Sequence, residues 1–141
     1  MVLDRRGGAL PRLALPFRLG LGGPLGHGRQ WQSWITLDDL VQVVRHTLEH
    51  GELAGPVNAV SPGPVTNRDL ARALGRVLAR PAGLPVPGWV LRVVMGQMGI
   101  ELLLFSQRVA PARLEASGFR FGQPEIEVAL RHVLRRGRIA D

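Results

Sequence analysis

Phe17 to Leu40 reads FRLGLGGPLGHGRQWQSWITLDDL, and the fold is decided by how this stretch is read. Gly20, Gly22, Gly23, Gly26 and Gly28 precede an Arg29-Gln30 pair, two tryptophans and a well-signalled helix start. Glycine serves where φ must be positive or where another group must come close. Tryptophan adds a flat apolar area with one N–H donor. Long loops of this content bind ligands more often than they fill surface. Gly20 to Gln32 is therefore the candidate ligand-binding loop. The bland alternative is a surface loop whose tryptophans complete the core.

Downstream, Thr36 with Asp39 has the spacing of a capping box, so a helix is expected from about Asp38 to His50, ended by Gly51. Leu37, Leu40, Val41, Val44 and Leu48 give it a helical period. Capping accounts for Asp38 and Asp39 without any catalytic role. Val57 to Val60 reads as a short strand. Thr66 and Asp69 repeat the cap before a second amphipathic helix, which Arg80-Pro81 stops. Pro87 is placed to open a third helix, Gly88 to Met98. A helix around Pro111 to Ser117 follows, with Gly118 as a left-handed cap. Phe119 to Phe121 reads as a strand, and Pro124 opens a last helix through Leu134. Upstream, Val2-Leu3 is a strand fragment with no partner before it. Pro11 and Pro16 limit Ala9 to Leu19 to one or two helical turns. Too few strands remain for a self-sufficient sheet.

A chain of 141 residues with 45% hydrophobic and 21% charged content is ordinary for one globular domain or part of one. No apolar run reaches the roughly 18 residues a spanning helix needs, so no membrane role is expected. The opening MVLDRRGG lacks a signal-peptide pattern. The absence of cysteine excludes disulfides and thiol chemistry and fits a reducing, cytoplasmic setting. The net charge of +7 comes from 18 arginines and no lysine, spread along the chain apart from Arg135, Arg136 and Arg138. A nucleic-acid site needs a contiguous basic face with aromatics, so no specific nucleic-acid partner is expected.

Several chemistries fail on the residues. The loop begins a dinucleotide fingerprint at Gly20-Leu21-Gly22, but Leu25 stands where the third glycine belongs. Without lysine there is no P-loop, and without tyrosine or lysine no Tyr–Lys acid/base pair. His46 and His50 lie one helical turn apart with no third metal ligand evident. Ser33 and Ser61 lack a nucleophile signature.

FRLGLGGPLGHGRQWQSWI-x-LDDL followed by GPVNAVSPGPVTNRDLARALGRVLARP resembles the C-terminal half of epimerase family proteins. These are atypical NAD(P)-dependent extended short-chain dehydrogenases/reductases. LPVPGWVLRVVMGQMGIELLLFSQRVAPARLEASGFRFGQPEIEVALRHVL resembles their additional C-terminal domain of unknown function. The resemblance implies an α/β substrate lobe, mostly helical with a few short strands. Residues 1–83 would end the Rossmann-like epimerase domain, and 84–141 would form the small helical domain. The family's TGGTGxIG loop, acidic ribose partner and Tyr-x-x-x-Lys have no counterpart here. NAD(P) is thus implied for a full-length member, with no cofactor-binding, catalytic or metal residue in this chain.

The resemblance further implies that Gly22, Gly23, Arg29, Gln30, Trp31 and Gln32 line the pocket of an unknown small-molecule substrate. Where nucleotide-sugar epimerases carry an Arg-Asp pair that grips a diphosphate, this chain has Gln32-Ser33. The family's following histidine is Thr36, and Arg29 is left as the nearest anion ligand. The implied function is a substrate-binding lobe, inactive alone, of an epimerase/oxidoreductase-like protein. A non-catalytic protein-interaction module is the competing reading. Open sheet edges at Val2-Leu3 and Val57 to Val60 imply possible self-association.

Overall fold

The computed structural model describes residues 1–135; Arg136 and Arg138 of the basic tail lie outside them. The chain runs β1 (Val2–Leu3), α1 (Leu10–Arg18), β2 (Trp31–Gln32), β3 (Ile35–Thr36), α2 (Leu37–Glu49), β4 (Val65–Thr66) and α3 (Asn67–Leu78). It continues through α4 (Gly88–Leu104), α5 (Ala112–Ala116) and α6 (Ile126–Arg135). This is the mostly helical α/β architecture that the resemblance implied.

The helix starts follow their caps. Thr36 and Thr66 are both extended, and their hydroxyls accept from the Asp39 and Asp69 amides at 3.1 and 3.2 Å. Each hydroxyl satisfies one amide that the first turn leaves without a carbonyl. Gly118 has the expected positive φ of 81° after α5.

The strands form two two-stranded sheets. β1 runs parallel to β3, with Val2 opposite Ile35 and Leu3 opposite Thr36. β2 runs antiparallel to β4, with Trp31 opposite Thr66 and Gln32 opposite Val65. Such pairs are marginal alone and depend on the helices packed over them. Leu10, Leu13, Phe17, Leu70, Leu74, Leu91, Met95 and Leu130 join Leu3 and Trp34 in one core cluster. That cluster takes residues from both sides of position 84. Ile35, Val43 and Leu114 form a second, smaller one.

Several expectations need correction. Val57 to Val60 is not a strand: Ser61 N donates to Trp34 O at 2.7 Å, but no ladder extends from it. Pro56, Pro62 and Pro64 flank the segment and have no N–H with which to extend a ladder from it. Phe119 to Phe121 is also outside any ladder. The amides just after it, Gly122 N and Gln123 N, donate instead to the buried Asp39 carboxylate at 2.8 and 3.0 Å. The third helix runs past Met98 to Leu104, broken at Gly96 (φ 68°, ψ 172°). α2 ends at Glu49 with His50 as its cap, before Gly51 is reached. α1 has nine residues despite Pro16 within it.

Candidate functional site

The glycine loop is held from two sides. On one side it covers the start of α3, where the first amides lack intrahelical acceptors. Asn67 N donates to Gln30 O and Arg68 N to Gly28 O, both at 2.9 Å, and Leu25 N donates to Asn67 Oδ1 at 2.7 Å. On the other side lies the segment before α4, where Val86 N donates to Pro24 O at 3.2 Å. Gly23 meets this segment so closely that a Cβ there would stand 1.6 Å from the Leu84 carbonyl oxygen. A Cβ on Gly22 would lie 2.3 Å from the Phe17 ring. Gly28, at φ 69°, supplies the left-handed turn before Arg29.

Beyond the loop, β2 is edged by the chain leaving α4. Gln107 N donates to Trp31 O at 2.9 Å, and Trp31 N donates to Ser106 Oγ at 3.0 Å. Ser33 Oγ donates to Gln107 O at 3.1 Å and accepts from Val109 N at 2.9 Å. The Arg108 guanidinium lies 4.5 Å above the Trp31 ring, within cation–π range. Between β2 and this segment is a cavity of about 130 Å³ lined by Met1, Trp31, Gln32, Ser33, Leu103, Phe105 and Gln107. Burial holds the Met1 α-amino group below its ordinary pKa, and that group donates to Ser33 O at 2.8 Å.

Behind the cavity two glutamine amides converge. Gln30, just before β2, and Gln32 within it both point Nε2 at Leu103 O, from 3.4 and 3.2 Å. Leu103 lies in the last turn of α4, where carbonyls have no helical donor. Gln30 Nε2 also reaches Leu25 O at 3.1 Å. Among the described residues, the Oε1 atoms of Gln30 and Gln32 are buried without a hydrogen-bond partner. The residues themselves are only 2% and 7% exposed.

Of the six residues expected to line a pocket, Trp31 and Gln32 border this cavity, and Gln30 stands beside Gln32 against Leu103. Gly22 and Gly23 are buried against Phe17 and Leu84. Arg29 is exposed, outside the cavity lining, with no salt bridge among the described residues. The two tryptophans divide the readings weighed for the loop. Trp34 is fully buried with its indole N–H on Gly63 O at 2.7 Å, whereas Trp31 is half-buried beside the cavity.

Sequence reasoning missed Phe105, Gln107 and Arg108, which follow Gln32 by more than seventy positions. The one local signal was the abrupt change from the apolar run to Ser106-Gln107-Arg108. His46 and His50 stack at 4.0 Å, and His46 Nε2 is 2.8 Å from Ser117 Oγ. No group of three or more metal-ligating side chains occurs among the described residues. No described helix is long and apolar enough to cross a membrane.

Comparison with known proteins gives these elements a family. Residues 86–133 match the model of a domain of unknown function, DUF1731. The mouse epimerase family protein SDR39U1 is 45% identical over 135 residues, covering 95% of this chain and 46% of the mouse protein. The crystal structure of human SDR39U1 (isoform 2) with NADPH superposes with a TM-score of 0.84 at 40% identity, over 95% of this chain and 45% of the human one. A nucleoside-diphosphate sugar epimerase from Corynebacterium glutamicum gives a TM-score of 0.73 at 35% identity, over 94% of this chain and 24% of its own. The chain thus spans about half the length of the curated relatives it matches. In sequence and backbone it is similar to one part of these epimerase family proteins, and it fits their C-terminal part with the extended short-chain dehydrogenase/reductase fold.

Proposed function

We propose that this chain is the substrate-side lobe of an NAD(P)-dependent epimerase- or oxidoreductase-like protein and does not transfer hydride by itself. The observation that carries the proposal is the close backbone match to a protein solved with NADPH, by a chain containing no tyrosine and no lysine. The residues present do not fit the cofactor. The glycine loop is closed by Phe17 and Leu84, and the Gly28 and Gln30 carbonyls are engaged by α3. In a complete family member the nicotinamide would act at a carbonyl or alcohol carbon. This lobe would bind and orient the molecule that carries it: Trp31, Gln32 and Phe105 line the cavity, and Leu103 O holds the amide nitrogens of Gln30 and Gln32 behind it.

The corynebacterial relative acts, by its name, on a nucleoside-diphosphate sugar. The residues here favour a different substrate. Gln32 spends its amide on Leu103, and Ser33 spends its hydroxyl on Gln107 and Val109, so neither offers a diphosphate clamp.

A second reading, a non-catalytic interaction module, draws on α2. Val41, Val44 and Leu48 are exposed at helical spacing, Leu48 by 81%. A chimera discriminates the two. This chain would replace the matching C-terminal part of human SDR39U1, and NADPH binding would be followed by calorimetry. The lobe reading expects a folded chimera that binds NADPH. A folded chimera with no NADPH binding would overturn it and favour the module.

A further inference from the structure

We propose that the arginine-lined groove along α3 is a docking surface for an extended acidic segment of a protein partner. The inference stands apart from the reading of the lobe as a substrate wall and involves no cofactor.

Arginines that look dispersed along the chain are gathered here by the helical period. Arg68, Arg72, Arg76 and Arg80 recur at every fourth position, and all four are exposed. Residues four apart are neighbours on a helix surface, so they make one stripe. The opposite side of α3 buries Leu70, Ala71, Ala73 and Leu74 in the core, which keeps the stripe outward. Ala79 then turns the chain in the left-handed region (φ 53°), and Arg80 N donates to Gly75 O at 2.8 Å. The chain folds back so closely that a Cβ on Gly75 would lie 2.8 Å from the Ala82 Cβ. The result is an open groove of about 470 Å³ lined by Arg72, Arg76 and Arg80; the rest of its lining is Gly75, Ala79, Ala82 and Gly83.

Charge complementarity gives the sign of the occupant. Arg80 has no salt bridge among the described residues, and Arg72 reaches Asp69 only at 3.8 Å. Arg76 holds Glu127 at 2.9 Å, but Glu127 is shared with Arg131. The stripe therefore carries positive charge that its own carboxylates do not neutralise. Guanidinium forks pair well with carboxylates.

Spacing and walls give the form of the occupant. Four helical residues advance about 6 Å, and alternate side chains of an extended chain stand about 6.6 Å apart. Carboxylates on every second residue of a strand-like segment can thus meet successive arginines. The glycine and alanine lining lets a peptide backbone come near. It offers no aromatic ring on which single-stranded nucleic acid would stack, and no large apolar side chain to enter a membrane surface.

The test uses the whole chain and a fluorescent peptide of alternating glutamate and serine, followed by anisotropy at low and physiological salt. Saturable binding that weakens with salt is expected. Arg72→Gln with Arg80→Gln should weaken it about three- to tenfold, the loss of two exposed ion pairs. Arg45→Gln with Arg120→Gln, at exposed positions outside the groove, removes the same charge and should weaken it by less than about twofold. Circular dichroism verifies folding. If the groove double variant fails to fold, Arg80→Gln alone, whose guanidinium has no salt bridge to lose, decides by the same comparison. Absence of saturable binding would overturn the proposal. Equal weakening by the two double variants would also overturn it, by showing that net charge alone attracts the peptide. Oligothymidylate or phosphatidylserine vesicles bound more tightly than the peptide, and released by Arg72→Gln with Arg80→Gln, would overturn it in favour of a nucleic-acid or lipid partner.

Discussion

Gly23→Ala tests the way the loop is locked. The new Cβ would stand 1.6 Å from Leu84 O and 2.7 Å from Leu84 C, both backbone atoms that no rotamer change can clear. Attractive contact between heavy atoms begins near 3.5 Å, so the Pro24 and Leu84 segments must separate by well over an ångström. That separation breaks the Val86 N–Pro24 O bond, a loss of about 1 kcal/mol. It also loosens Val86 and Leu25, now 7% and 5% exposed, each of which contributes about 1.5–3 kcal/mol when fully buried. Partial relaxation keeps some of this burial, so the expected cost is about 3 kcal/mol, at the upper end for overpacking. The midpoint of thermal unfolding should fall by roughly 10 °C. Gly7→Ala is the matched control, because a Cβ there meets nothing within 4 Å and its φ is not left-handed. It should change stability by less than about 0.5 kcal/mol in urea denaturation. If Gly23→Ala also fell within that margin, the close approach to Leu84 would not exist in solution and the reasoning would be refuted.

Other perturbations follow from the same geometry. Asp39→Ala leaves the Gly122 and Gln123 amides without their carboxylate and should cost about 3 kcal/mol in chemical denaturation, with hydrogen exchange accelerated at both amides. Ala79 holds a left-handed conformation (φ 53°, ψ 46°) at the end of α3, so Ala79→Gly should raise stability by about 1 kcal/mol; a loss would contradict this. The exposed stripe on α2 and the short open sheets should drive self-association of the isolated chain. Sedimentation should show mass rising with concentration, reduced by Val41→Glu with Leu48→Glu; a monomer at every concentration would count against it.

The parts of the fold legible in the sequence were those fixed by neighbours a few residues apart. Thr36 and Thr66 announced their helices because a cap joins residues three apart, and Gly118 announced a turn because few residues other than glycine adopt its φ readily. What escaped depends on distant chain. Val57 to Val60 has strand composition, but its one bond to the β3 side, Ser61 N to Trp34 O, starts no ladder. β2 reads as loop in the sequence and becomes strand only when Val65 and Thr66 arrive beside it. Gly96 gave no hint that α4 resumes after a kink. At the site, Trp31 and Gln32 could be singled out by type, yet the Leu103 carbonyl that holds both glutamines is reached only through the folded chain.

Calorimetric titration of NADPH into the isolated chain tests the central claim most directly. A lobe with its glycine loop closed by Phe17 and Leu84, and with no tyrosine or lysine, should give no saturable heat up to millimolar cofactor. Saturable binding at micromolar affinity would contradict the account, because a complete cofactor site would then lie within these 141 residues.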